Sequence, residues 1–160
     1  MQIGIVSDTH GQVEFTRAAI RMLESFEVEQ VIHCGDIGSN AIVDLFAPWP
    51  THYVVGNVDF DHAGLQAAIK TAGQTFHGMF GQLSLGERKI AFLHGHDEAR
   101  LAATINSGAY DLVCHGHTHQ ATNYLVGQTR VLNPGALYRA SRHTIAIVDL
   151  PSLEISIVPV

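Results

Sequence analysis

The apolar positions along the chain fall into short blocks whose period changes. Gln2–Ser7 is a brief apolar run ending in polar residues, the pattern of a buried parallel strand. From Gln12 to Glu27 the apolar residues become Val13, Phe15, Ala18, Ala19, Met22, Leu23 and Phe26, a spacing that predicts a helix. Gln30–Cys34 reads as a second strand. Asn40–Phe46 is a short helix halted by Pro48 and Pro50, and His52–Val55 is a third strand. Alternating strands and helices imply a parallel sheet with helices on its faces.

The middle of the chain changes character. Leu65–Thr71 is predicted helical, Phe76–His77, Gln82–Leu85 and Lys89–Leu93 are short strands, and Gly86 marks a tight turn between the last two. Asp97–Asn106 is helical and Asp111–Cys114 is another apolar strand. The tail reads as four strands, Ala121–Val126, Thr129–Leu132, Thr144–Asp149 and Leu153–Val158, joined by Gly, Asn-Pro-Gly and Pro-Ser turns. Parallel units first and meander strands last suggest two sheets packed face to face with helices outside. The 160 residues fit a single domain spanning 1–160.

Composition narrows the partners. Nine Lys and Arg stand against fifteen Asp and Glu, and no basic cluster or basic amphipathic stretch occurs, which disfavours nucleic-acid and membrane-surface binding. The start has no basic leader, no apolar run reaches the length of a membrane span, and Cys34 and Cys114 each end a strand-like run. A cytoplasmic protein with two buried thiols is expected. The anomaly is eleven histidines, more than Lys and Arg together.

Polar clusters close five of the strands: Ser7-Asp8-Thr9-His10-Gly11, His33-Cys34-Gly35-Asp36, Gly56-Asn57-Val58-Asp59, Leu93-His94-Gly95-His96-Asp97 and His115-Gly116-His117-Thr118-His119. Ligands of open α/β sheets bind outside the carboxyl ends of strands, so these clusters converge on one crevice. Asp8 and His10 are two apart, as are His117 and His119, and in extended backbone each pair projects to one side. With Asp36, Asn57 and His94 they make seven nitrogen and oxygen donors. Seven exceed the needs of one divalent ion and suit two ions sharing a carboxylate. Imidazole with carboxylate favours Mn, Fe, Zn, Co or Ni.

Asp8-x-His10, Gly35-Asp36, Gly56-Asn57-x-Asp59, His94-Gly95-His96 and Gly116-His117-x-His119 resemble, in order, the motifs of the calcineurin-like metallophosphoesterases, in particular the small YfcE-like phosphodiesterase branch. Asn133-Pro134-Gly135 is similar to a turn of that branch. The resemblance implies an α/β fold, a four-layer α-β-β-α sandwich of two mixed sheets flanked by helices. It also implies one metal site of Asp8, His10, Asp36 and His119, and another of Asp36, Asn57, His94 and His117, bridged by Asp36. His94 rather than His96 takes the ligand role because it follows the strand directly. His96 would then either support a ligand from behind or touch the substrate. The implied cofactors are two divalent ions, Mn²⁺ foremost, and the implied reaction is phosphodiester hydrolysis by a hydroxide bridging them. The alternatives are a phosphomonoesterase or nucleotidase on the same centre, or a protein-binding scaffold like the retromer subunit with this fold.

One position departs from the family. Many members carry His after the motif Asn and use it to protonate the leaving oxygen; here Val58 stands there. Asp59 is expected to orient a neighbouring histidine or a ligand, and His62 or His96 are candidates to replace the missing acid. His33 and His115 are expected to be packed near strand ends. His52, His77 and His143 are expected to lie on strands or the surface without company. Arg139 and Arg142 are expected to be solvated, and Asn133 to form a turn. The tail strand around Ile155–Val158 offers an edge for homo-oligomer pairing.

Overall fold

The computed structural model describes residues 1–160 throughout. It places β1 (Gln2–Val6), β2 (Gln30–His33), β3 (Thr51–Tyr53) and β4 (Thr75–Phe76) in parallel order in one sheet. A second sheet holds β5 (Phe80–Leu85), β6 (Arg88–Leu93), β7 (Leu112–Cys114), β8 (Thr122–Val126) and β9 (Thr129–Asn133). The predicted tail meander splits between them. β8 and β9 form a hairpin with β9 parallel to β7, whereas β10 (Thr144–Asp149) returns to the first sheet antiparallel to β1. β11 (Glu154–Pro159) closes that sheet as its outer strand, giving the order β11-β10-β1-β2-β3-β4.

The alternation of side chains explains the layers. Ile3 and Ile5 of β1, Ile32 and Val54 point inward and meet Ile90, Phe92, Leu112 and Leu132 of the other sheet. The opposite faces of the first sheet, Val6, Val31 and Tyr53, pack under α1 (Val13–Ser25), α2 (Asn40–Leu45) and α3 (His62–Thr71) through Ala19, Leu23, Ile42, Val43, Leu65 and Ile69. On the far side, Ala91, Leu93, Val113 and Val131 receive Ile105 of α4 (Glu98–Asn106). The result is the four-layer α-β-β-α sandwich, with a single helix in the last layer. Cys34 and Cys114 are free buried thiols between the sheets, and burial raises the pKa of both.

Most boundaries differ by a residue or two. α3 starts three residues earlier than the apolar pattern indicates because the Asp61 carboxylate caps it, accepting from Gly64 N at 2.9 Å. Asp97 is likewise the cap of α4 rather than its first residue, accepting from Arg100 N at 3.0 Å. β3 ends at Tyr53, so Val54 and Val55 begin the loop that carries Asn57. No helix is long and apolar enough to cross a membrane.

Candidate metal centre

β1, β2, β6 and β7 end side by side at one edge of the sandwich, and their following loops supply Asp8, Asp36, His94 and His117. The loops do not continue in extended backbone, as the two-residue spacing suggested. Asp8, His10, Asp36, His117 and His119 all have positive φ, between 44° and 70°. This left-handed conformation is strained for non-glycine residues and is retained where surrounding contacts enforce it, commonly at functional sites.

Those contacts are specific. Asp8 is fully buried. Its Oδ2 accepts from Ser7 Oγ at 2.6 Å and from His117 N at 3.0 Å, which leaves Oδ1 without a hydrogen-bond donor. Facing that oxygen are His119 Nε2 at 3.1 Å, His10 Nε2 at 3.7 Å and His94 Nε2 at 3.9 Å. Asp36 has the same division: Oδ1 accepts from Val58 N at 3.1 Å, and Oδ2 faces His94 Nε2 at 3.2 Å and His10 Nε2 at 3.3 Å. Asn57 Oδ1 completes the far side, 3.1 Å from both His94 Nε2 and His117 Nδ1.

The histidine tautomers follow from the outer contacts. His94 Nδ1 lies 2.9 Å from the Cys34 carbonyl and His119 Nδ1 lies 3.4 Å from the Arg139 carbonyl. A carbonyl only accepts, so each Nδ1 carries a proton, and in the neutral ring Nε2 turns a lone pair inward. With no cation in the centre, a second proton on His94 Nε2 is what Asp36 accepts, at 3.2 Å. Carboxylate, amide and imidazole acceptors thus converge on one another, an arrangement that favours a cation among them. Histidines oriented by backbone carbonyls are the usual supporting shell of such sites.

The ionisation pattern has the same cause. Burial pushes Asp8 and Asp36 up. It is outweighed by the neighbouring His10 imidazole and the Ser7 hydroxyl at Asp8, and by His94 at Asp36, with further help from nearby histidine charge, so both carboxyls stay below their ordinary range. Burial pulls His94 down, but its hydrogen bond to Asp36 and the charges of Asp8 and Asp36 raise it overall. The pocket therefore attracts positive charge at the position where its acceptors meet. Asp8, His10 and His119 form one group whose ligand atoms lie within 4.8 Å of one another, and Asp8, Asp36 and His94 form a second. Divalent ions fit this donor set.

The close approach of the loops requires glycine at two points. A Cβ on Gly56 would overlap Asp36 Oδ1 and lie 2.5 Å from Asp36 N. A Cβ on Gly116 would overlap Ser7 Oγ and lie 2.5 Å from Asp8 Oδ2.

Several residues play parts other than those expected. Asp59 orients no histidine directly. Its carboxylate accepts from Gly56 N at 2.9 Å, Gly38 N at 3.0 Å and Ile37 N at 3.1 Å, tying the Asp36 loop to the Asn57 loop through backbone. Asn133 is more than a turn former. It accepts from Gly135 N at 2.9 Å, and its amide donates to Gly116 O at 2.9 Å and Thr118 Oγ1 at 3.0 Å, bracing the loop of His117 and His119. In the sequence, Asn-Pro-Gly signals the turn, and the bracing bonds depend on residues distant along the chain. Tyr138, which no sequence motif marks, has its ring 4.7 Å from that of His10, with the Arg139 guanidinium 5.1 Å from the Tyr138 ring.

His96 is half-buried beside the rings of His94 and His117, at 5.6 Å and 6.2 Å, and its Nδ1 has no hydrogen-bond partner. His62 opens α3 on the surface. His33 is fully buried between Thr9 Oγ1 and Gly35 N, and burial lowers its pKa to about 4. His52 and His77 do have company: His52 of β3 bonds His77, which directly follows β4, at 3.1 Å, and His143 packs edge-on against Phe15 at 4.0 Å.

A family model described as the calcineurin-like phosphoesterase superfamily domain matches residues 1–152. A phosphodiesterase of Methanocaldococcus jannaschii is 33% identical over 159 residues, covering 96% of each chain. A probable metallophosphoesterase of Bacillus subtilis, YsnB, is 30% identical over 144 residues, 86% of this chain and 75% of that one. The solved structure of an archaeal phosphodiesterase superposes with a TM-score of 0.92 over the full length of both chains at 32% identity. Joined to loops that converge carboxylate, amide and imidazole donors, these matches show that the chain belongs to the calcineurin-like phosphoesterase superfamily, a family of metal-dependent phosphoester hydrolases.

Proposed function

We propose that this protein is a phosphodiesterase that hydrolyses small phosphodiesters at a two-ion centre. In this reading Asp8, His10, Asp36 and His119 would hold one ion and Asp36, Asn57, His94 and His117 the other, with Asp36 shared between the two sets. The observation that carries it is the buried, donor-free Asp8 Oδ1 facing imidazole nitrogens, beside an Asp36 oxygen that faces His94 and His10.

Bound divalent ions supply Lewis acidity, activation of water and neutralisation of phosphate charge. The chain's own residues arrange the rest. Ser7 and the His117 amide hold one oxygen of Asp8, so its other oxygen has a fixed aim. The Val58 amide does the same for Asp36, and Asp59 keeps the Asp36 and Asn57 loops in register. Asn57 contributes a neutral oxygen, which adds no negative charge to repel phosphate. His96, at the rim beside His94 and His117, is placed to hydrogen-bond an oxygen of the substrate. Val58 offers no proton, so esters with low-pKa leaving groups are preferred; general-acid catalysis is worth roughly 10²–10⁴-fold for a poor leaving group. The donor set suits Mn²⁺. The free buried thiols accord with a cytoplasmic location.

The test is metal analysis of the purified protein followed by assay of bis-aryl and mono-aryl phosphates with Mn²⁺, Ni²⁺, Zn²⁺ and Mg²⁺. Faster turnover of the diester is expected. A faster monoester would make the protein a phosphomonoesterase. No turnover with any ion would return the scaffold reading, which the seven competent donors disfavour. Turnover unaffected by Asn57→Ala or His94→Ala would overturn the site assignment.

A further inference from the structure

Beside the centre, between the Asp36–Asn40 loop, the Asn57–Asp61 loop and Leu65 of α3, lies a groove of about 430 Å³. Its wall is apolar: Val58, Leu65 and the ring of Phe60. Phe60 is 87% exposed, the most exposed large apolar side chain in the protein, although it directly follows the buried Asp59. An aromatic ring held in solvent beside a functional site gains by being covered there.

The polar groups of the groove are equally selective. Asp59 is consumed by three backbone amides, and Asp61 accepts the cap bond of α3 through Oδ1, so both carboxylates keep negative charge on this side of the groove. Ser39 precedes α2 but its hydroxyl makes no capping bond, and the adjacent Asn40 carboxamide has no partner within the chain. The groove thus offers an aromatic face, two aliphatic contacts and neutral donors and acceptors at one edge. An alkyl group would make no use of Ser39 and Asn40, and an anion would face two carboxylates. A planar heteroaromatic ring satisfies both halves, and the volume is within the usual range for small-molecule sites.

We propose that this groove is a nucleobase subsite, holding the base of one arm of a nucleotide phosphodiester against Phe60 with its polar edge toward Ser39 and Asn40. The inference rests on the function proposed above, because that reading anchors the phosphate at the adjacent centre. Stacking of a base on an aromatic side chain is worth roughly 5- to 160-fold in affinity.

The test uses Mn²⁺-loaded full-length protein and three non-hydrolysable ligands: the phosphonate analogues of adenosine 5′-monophosphate and of ribose 5-phosphate, and phenylphosphonate. Binding is measured by calorimetry. The adenosine ligand is expected to bind about tenfold or more tighter than the ribose ligand. Phe60→Ala should abolish that preference and leave the ribose ligand unchanged, and Phe60→Trp should retain it. Ser39→Ala with Asn40→Ala should weaken the adenosine ligand but not phenylphosphonate. Equal affinity of the adenosine and ribose ligands, or a preference that survives Phe60→Ala, overturns the subsite alone. Phenylphosphonate binding as tightly as the adenosine ligand overturns the nucleobase assignment. Failure of all three ligands to bind overturns the phosphate anchoring, and with it both this inference and the proposed function.

Discussion

Replacing Asn133 with alanine removes three hydrogen bonds from a side chain with no solvent exposure. The partners do not lose equally. Gly116 O keeps Thr118 N at 2.9 Å and His115 Nδ1 at 3.1 Å, and Thr118 is exposed to water. Gly135 N, in a buried turn, is left unsatisfied, which costs about 1–3 kcal/mol, and the vacated carboxamide volume adds to it. A total of about 2–3 kcal/mol corresponds to a melting temperature lower by roughly 4–12 °C for a chain of this size. The functional consequence is separate. Asn133 holds the backbone of Gly116 and the hydroxyl of Thr118 on either side of His117, so its loss frees the His117–His119 loop. Loss of such a supporting contact typically weakens metal binding 10- to 100-fold. Thermal unfolding by circular dichroism on chelated protein reads the first effect, and calorimetric titration with Mn²⁺ reads the second. Thr51→Val is the control, because Thr51 Oγ1 donates to Trp49 O at 3.1 Å at the start of β3. It should lower stability without changing Mn²⁺ affinity. Wild-type Mn²⁺ affinity in Asn133→Ala would refute the bracing role.

Other outcomes follow from the same geometry. Gly56→Ala drives a methyl group into Asp36 Oδ1, so Mn²⁺ binding should weaken at least about tenfold although no ligand is replaced; unchanged metal content after dialysis would contradict this. Val58→His should accelerate esters with alkyl leaving groups far more than aryl ones, and an unaltered dependence of rate on leaving-group pKa would exclude the missing acid as the cause of the preference. His33 titrates near 4 when folded against an ordinary 6.5, chiefly because burial disfavours its charge. The folded state therefore binds fewer protons in that interval, and stability is present above about pH 6.5 and lost as pH falls toward 4. The full contribution is about 3 kcal/mol. Chemical denaturation of chelated His33→Asn should show a smaller loss between pH 7 and 4.5 than wild type; an equal loss would refute the assignment.

The local pattern was enough to find the elements, because each depends on neighbours in the chain. Apolar spacing marked α1, Pro48 and Pro50 ended α2, and polar clusters after apolar runs marked the loops beyond the strands, where Asp8, Asp36, Asn57 and His94 stand. The donor types were legible for the same reason: carboxylate and imidazole in short motifs have few other uses together. Nothing local could decide the partition of the tail. β9 and β10 have similar compositions, yet one adds to the second sheet and the other crosses back beside β1. That choice depends on which buried edges remain unpaired once the parallel strands have assembled. It sets Tyr138 against His10 and the Arg139 carbonyl against His119. The roles of Asp59 and Asn133 were hidden likewise, since their partners lie across loops rather than nearby along the chain. The sequence alone determined which atoms are available to bind metal and phosphate. The tertiary structure decided which oxygens are already satisfied by amides and hydroxyls, and so which lone pairs are left to converge, because a buried polar atom takes the partner that packing brings to it.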